Sequence, residues 1–204
     1  MRALIAIGLV AALTAGVMAQ APQGGPPALT PVPGAVELKV GDMAPDFTLQ
    51  ASDGRTYRLS DFRNKQAVVI AWFPAAFTQG CTIECKSLAD NGERIQQFDV
   101  TYFMASVDSV EDNTKFAQAT QVTLNGRGGQ TVVDKKAADF PLLADPTKAT
   151  ATAYGVLTTR GVAARWTFYV GRDGRITAID KAVRPATSAE DMIAKLGELR
   201  VARR

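Results

Sequence analysis

Ala67-Val-Val-Ile-Ala-Trp-Phe73-Pro74-Ala-Ala-Phe-Thr78-Gln-Gly-Cys81-Thr-Ile-Glu84-Cys85 is the stretch that decides the fold. Its first seven residues are apolar and β-forming without a break, the pattern of a strand buried on both faces of an α/β sheet. Pro74 ends that run, a Thr/Gln/Gly loop follows, and Cys81 opens a stretch with helical spacing. Cys81, Cys85, Leu88, Ile95 and Phe98 recur at fours, threes and sevens. A cysteine at such a loop-to-helix junction meets unpaired backbone N–H groups and the positive end of the helix dipole, which stabilise a thiolate. The thiolate is the nucleophilic form of cysteine, so the stretch points to thiol chemistry.

What the chain lacks narrows the choice. It has no histidine and two cysteines, four positions apart. Ser-His-Asp and Cys-His catalysis are therefore excluded, as are histidine-containing zinc or copper sites, Cys₃ and Cys₄ metal sites, and a multi-bridge disulfide framework. Only a helix terminus, a hydroxyl or a guanidinium remains to activate Cys81.

Arg2 followed by the uncharged apolar run Ala3 to Met18 and the small-residue pattern Val17-Met18-Ala19 reads as a secretory signal over residues 1–19. The apolar run is short for a membrane span. Residues 20–37 hold five of the ten prolines and read as an extended Pro/Gly-rich linker. An exported protein, periplasmic or secreted and without stable membrane association once the signal is cleaved, is expected. Cleavage would remove only Arg2, leaving 22 basic against 20 acidic side chains, no footprint for nucleic acid. The ending Arg200-Val-Ala-Arg-Arg204 reads as a solvated tail. Residues 38–204 are the size of one domain with a substantial core.

Along that domain, Val40 to Leu49, a turn at Ser52-Asp-Gly54 and Thr56-Tyr-Arg-Leu59 form an N-terminal hairpin. Val100 to Val107 is a second buried strand, and Asp108-Ser-Val-Glu-Asp-Asn starts a helix. Phe140 to Ala144 is a short strand, and Asp145-Pro146 opens a helix that Gly155 stops. Trp166 to Val170, a turn at Arg172-Asp-Gly174, and Arg175 to Ile179 form a hairpin, and Ser188 to Leu199 is the last helix. The order ββ-β-α-β-α-β-α-β-β-α describes a central mixed β-sheet flanked by helices. Gln121 to Asp139 fits this order poorly. It reads as an extra hairpin around Gly126, Gly128 and Gly129, with a lid and a subunit contact as its possible roles. No strand-then-helix context supports a phosphate cradle there.

The residues in this order resemble a peroxiredoxin of the AhpC/TSA superfamily, closest to the bacterioferritin-comigratory (Q-type) group. Pro74, Thr78 and Cys81 match that family's Pro-x-x-x-Thr-x-x-Cys motif. Gly41-Asp-Met-Ala-Pro-Asp-Phe-Thr-Leu49, the Cys-Thr-Ile-Glu segment, Leu142-Leu-Ala-Asp-Pro146 and Arg165 before Trp-Thr-Phe extend the resemblance from Val40 to Leu199. It implies a thioredoxin-like fold and a thiol peroxidase without metal or other cofactor. Hydrogen peroxide or a small organic hydroperoxide is the implied substrate, and a thioredoxin-like dithiol the implied reductant. Cys81 attacks, while Thr78 and Arg165 meet the peroxide and the thiolate. Pro74 shields the pocket, and Glu84 holds the arginine. Each has a plainer reading beside this one: Thr78 as a helix cap, Pro74 as a strand end, Arg165 at a strand start, Glu84 as a first-turn acid favoured by the dipole.

The departure from the group's pattern is Cys85. The usual resolving cysteine lies five residues after the attacking one, which here is Lys86. Cβ atoms at i and i+4 of a helix are about 5–6 Å apart, whereas a disulfide needs about 3.5–4.5 Å. A Cys81–Cys85 bond therefore requires the first helical turn to unwind, and a one-cysteine cycle is the alternative. The rival from another class is an exported thiol-disulfide or Sco-like copper-handling protein, whose Cys-x-x-x-Cys spacing is present and whose histidine ligand is not. A monomer or a homodimer fits the sequence equally.

Overall fold

Val68, Ile70 and Trp72 face one side of strand β3 (Ala67–Trp72) and Ala67, Val69 and Ala71 the other, all of them buried. Burying each of the larger ones contributes about 1.5–3 kcal/mol relative to exposure, so this strand can sit only in the middle of a covered sheet. The computed structural model describes residues 29–126 and 129–204. In it β4 (Val100–Ser106) runs parallel to β3, from Ala67↔Val100 to Trp72↔Ala105, and β7 (Leu142–Ala144) runs parallel to β4. On its other side β3 pairs antiparallel with β8 (Thr167–Val170), which pairs with β9 (Ile176–Asp180). The N-terminal hairpin of β1 (Thr48–Ala51) and β2 (Thr56–Arg58) joins through β1 against β7. The mixed seven-stranded sheet has the order β2-β1-β7-β4-β3-β8-β9.

Helices cover both faces. On one, Val69 and Phe73 pack with Leu88 of α1 (Gln79–Asp90), Ile95 of α2 (Gly92–Ile95), Phe116 of α3 (Val110–Gln118) and Leu196 of α5 (Ser188–Glu198). On the other, Ile70 and Trp72 pack with Phe47, Leu59 and Phe168, with Ala151 of α4 (Ala149–Ala153), and with Tyr154 just after it. Ser109 caps α3 by accepting from the Asp112 N–H at 3.0 Å, the start chemistry its sequence announces.

Several elements depart from the sequence expectation. The helical spacing after Cys81 spans two helices, interrupted at Asn91 (φ −114°), and Gly92, which opens the second, sits beneath Asp139, whose carboxylate would lie 2.2 Å from any Cβ there. Helix α4 does not open at Asp145-Pro146. The Asp145 carboxylate instead accepts from the Ala151 N–H at 2.8 Å, and Lys148 adopts φ 63° before the first helical residue. Residues 121–134 do form a hairpin, β5 (Gln121–Gly126) with β6 (Gly129–Asp134), as a separate two-stranded sheet whose Val122 and Leu124 are buried in the first core. Gly126 and Gly129 are ladder partners in it, and Gly128 lies outside the described residues.

The expected signal, residues 1–19, and the first half of the expected linker also lie outside the described residues. The linker's last residues are not extended free chain. The Val32 N–H donates to the Leu157 carbonyl at 3.0 Å, and Val36 runs so close to Gly155 (φ +66°) that a Cβ there would lie 1.9 Å from the Val36 oxygen. The basic C-terminus keeps its arginine side chains exposed, as expected of a solvated tail, but its backbone is pinned to the domain. The Asp99 N–H donates to the Ala202 carbonyl at 2.7 Å, the Arg204 N–H to Gln97 at 2.8 Å, and the Arg203 guanidinium lies over the Phe98 ring. No described helix is long and apolar enough to cross a membrane.

Candidate active site

The loop between β3 and α1 builds the site. Pro74 is half-buried in the bend directly after β3, and the Ala76 N–H donates to the Asp108 carboxylate at 2.9 Å, pinning the loop to the end of β4. Phe77 takes φ 58°, which is costly for a bulky residue, and sets its exposed ring edge-on to Phe116 at 5.2 Å. Thr78 occupies the cap position of α1 by its extended backbone, yet its side chain does not cap. The exposed hydroxyl donates to the Ala75 carbonyl at 2.9 Å. The Thr78 carbonyl in turn accepts from both the Thr82 N–H and the Thr82 hydroxyl at 2.8 Å, closing the first turn.

Cys81 is the third residue of α1 and has no solvent exposure. Its partner comes from across the sheet. Because β8 runs antiparallel to β3, with Ala71 opposite Thr167 and the Trp72 N–H bonded to the Trp166 carbonyl, Arg165 falls beside the end of β3 where α1 begins. The guanidinium donates through Nη2 to Cys81 Sγ at 3.1 Å and through Nη1 to Glu84 Oε2. Cys81, Glu84 and Arg165 are thus brought together, while Thr78 and Pro74 flank them in the loop.

Glu84 is wholly buried, and its second oxygen, Oε1, has no partner among the described residues. Burial pushes its carboxyl up to about 7, against the opposing pull of the Arg165 charge and hydrogen bond, and the Asp180 charge adds to the rise. The arginine is raised as well, but by its neighbours' charges rather than by burial. Burial disfavours its cation, but the Glu84 and Cys81 charges outweigh that and raise it. The pair is therefore asymmetric: the arginine is a permanent cation and the carboxylate the member that can be neutralised.

Cys85 is also fully buried, one turn further along α1, and both cysteines are free thiols. Burial pushes the Cys85 thiol up to about 11, opposed by the nearby Lys135 charge. Trp72 is core against Tyr154, with ring centroids 5.9 Å apart, and Trp166 is half-buried under the Lys181 ammonium. A groove of about 500 Å³ lies between Phe77–Thr78–Gln79 and the hairpin residues Thr123–Gly126 and Thr131. A cavity of similar size, about 490 Å³, between β3, β8 and the C-terminus holds no thiol and lies at the opposite end of the strands. Among the described residues no group of three or more His, Cys, Asp or Glu side chains is arranged to hold a metal.

The AhpC/TSA family profile matches residues 40–179. The chain belongs to the AhpC/TSA family. A putative peroxiredoxin of Mycobacterium tuberculosis (strain H37Rv) is 33% identical over 147 residues, 68% of this chain and 82% of its own. Peroxiredoxin Bcp of Escherichia coli K12 is 37% identical over 81 residues, which are 40% of this chain and 51% of that protein. Among solved structures, peroxidoxin BcpB from Mycobacterium tuberculosis superposes with a TM-score of 0.66 at 26% identity, covering 80% of this chain and 99% of that one. The chain is thus a peroxiredoxin with the thioredoxin-like fold expected from its sequence.

Gly80 is a functional position the sequence did not announce. A Cβ there would lie 2.9 Å from Arg165 Nη2 and 3.6 Å from its Cζ, so a side chain at this position would press on the guanidinium where it reaches Cys81 over the first turn. Nothing local signals this, since a glycine before a catalytic helix reads as ordinary loop. The Gly80→Ala variant should unfold at the same temperature as the parent or higher, because alanine favours helix by about 1 kcal/mol. Its peroxide reduction should nonetheless be about tenfold slower, because the guanidinium is displaced. Thermal melts and stopped-flow kinetics on the same sample check both halves, and an unchanged rate would show that the contact is not needed.

Proposed function

We propose that this peroxiredoxin reduces hydrogen peroxide and small organic hydroperoxides at Cys81, and that Cys85 resolves the oxidised sulfur. The observation that carries the proposal is the Arg165 guanidinium, which bridges Cys81 Sγ and the buried Glu84 carboxylate. The Cys81 thiolate attacks one peroxide oxygen; the S–O bond forms as the O–O bond breaks. The cysteine becomes a sulfenic acid, and the departing oxygen takes a proton and leaves as water or alcohol. Arg165 faces the charge that moves between sulfur and oxygen. The Thr78 hydroxyl turns from Ala75 to the peroxide, and Pro74 shields the pocket. The Cys85 thiolate then displaces hydroxide from the sulfenic acid to give a Cys81–Cys85 disulfide, which requires the first turn of α1 to unwind. An external dithiol of the thioredoxin type takes up that disulfide's oxidation. The N-terminal sequence supports export, and the protein acts as a monomer or homodimer.

One equivalent of hydrogen peroxide tests the scheme. The parent should lose both thiols and give a Cys81–Cys85 disulfide by peptide mapping. Cys85→Ser should accumulate a sulfenic acid trapped by dimedone, with turnover on thioredoxin down about tenfold. A lasting sulfenic acid in the parent removes the resolving role. A Cys81 that oxidises no faster than free cysteine removes the whole scheme.

A further inference from the structure

Among the described residues Lys135 is the one buried lysine. It lies at the base of the β5–β6 hairpin, where its N–H donates to the Thr120 carbonyl at 2.9 Å, and its side chain turns inward with 5% exposure. The ammonium donates to the Ala117 and Lys136 carbonyls at 3.2 Å and lies 5.5 Å from the Phe116 ring centroid. Among the described residues no carboxylate pairs with it. A buried cation without an anion is costly, and two carbonyls and a ring face compensate only in part. Cys85 lies in the same packed cluster as Phe116 and Ala117, which the ammonium touches, and the ammonium's charge opposes the rise of that thiol.

We propose that Lys135 is a positioning residue for the resolving step, the counter-ion that holds Cys85 as a thiolate when it attacks the Cys81 sulfenic acid and when the disulfide is later reduced. This rests on Cys85 being the resolving cysteine. The chemistry requires such a group. The attack forms the S–S bond and breaks the S–O bond, with hydroxide leaving, and it proceeds only from Cys85 after its proton has gone to solvent. The apolar surroundings of Cys85 oppose that loss, pushing the thiol up to about 11 even with Lys135 present. The other ionisable groups facing it work against the anion or add nothing to it: Glu84 and Cys81 on its own helix, and Tyr102 on β4. Lys135 is the cation on that side. Because it reaches the core from the hairpin, it stays in place when the first turn of α1 unwinds around Cys81. The inserted hairpin thereby gains a role in the reaction.

The test separates the two steps in the full-length protein. After a pulse of one equivalent of hydrogen peroxide, acid quenching and mass spectrometry follow the sulfenic acid and the disulfide in the parent, Lys135→Gln, Lys135→Met and Lys136→Gln. Lys135→Gln keeps donors for the two carbonyls and loses only the charge, while Lys135→Met covers the case in which glutamine fails to fold. Either Lys135 variant should convert sulfenic acid to disulfide about tenfold more slowly at neutral pH, since a nearby opposite charge is worth one to three pKa units. The deficit should hold steady around neutral pH, where the Cys85 thiol is mostly protonated in every variant, and shrink only in the alkaline range where the Lys135 ammonium loses its charge. Lys136→Gln, at the exposed neighbour, should match the parent. Conversion at the parent's rate in a folded Lys135 variant, or a deficit that persists unchanged into the alkaline range where the Lys135 ammonium loses its charge, overturns the role of Lys135 alone. A parent that forms no Cys81–Cys85 disulfide overturns the resolving scheme and this role with it.

Discussion

Arg165→Met should reduce peroxide about a thousandfold more slowly than the parent, the scale expected when a preorganised donor to the reacting centre is lost. The substitution removes the N–H that points at Cys81 Sγ from 3.1 Å, and with it the permanent positive charge beside the sulfur. It also leaves the Glu84 carboxyl buried with no counter-charge, and the fold loses the ion pair. Stability and rate are separable by a double variant. Arg165→Met with Glu84→Gln should recover most of the lost stability, because no unpaired charge remains in the core, and none of the lost rate. Arg165→Lys should recover little of either, since one ammonium cannot fork to sulfur and carboxylate together. Stopped-flow peroxide reduction with chemical denaturation on the same samples checks this. An Arg165→Met rate within about fivefold of the parent would remove the guanidinium from the mechanism.

The frame around this site is legible in the sequence because it rests on local pattern. The unbroken Ala67–Phe73 run, the proline after it and the helical spacing from Cys81 each follow from steric and periodic rules within a dozen residues. The site residues were named from one motif and one distant arginine. What places that arginine, the antiparallel register of β8 on β3, is tertiary and cannot be read from either segment alone. Gly80 and Lys135 were missed for the same reason. Glycine in a first turn and one of two adjacent lysines carry no local mark, and their roles appear only when Arg165 and Cys85 arrive from elsewhere in the chain. The false start of α4 at Asp145-Pro146 is the converse. A good local signal was overridden because the Asp145 carboxylate found a partner in Ala151, six residues on. The docked segments at Val32 and Ala202 likewise depend on neighbours that composition does not reveal.

Glu84→Gln should flatten the acid side of the pH profile, both for stability and for catalysis. Burial sets the Glu84 carboxyl at about 7 in the folded protein against an ordinary value of 4.5, so the folded state holds its proton more tightly than the unfolded one. Between those values the folded chain binds more protons, and stability must fall as pH rises. The contribution is fully present below about 4.5 and is lost through about 7, roughly 3 kcal/mol in all. Glutamine removes the titrating group, so denaturation midpoints of Glu84→Gln should show less decline across that window than the parent's. Catalysis has the opposite slope. Above about 7 the ionised carboxylate grips the guanidinium and aims it at Cys81, and as pH falls the neutral acid releases it. At pH 8 the variant should be about tenfold slower than the parent, the usual cost of a weakened positioning contact, and the two rates should converge toward pH 6. A constant ratio of rates from pH 6 to 8 would show that Glu84 does not act on the reaction through its charge, whatever it contributes to the fold.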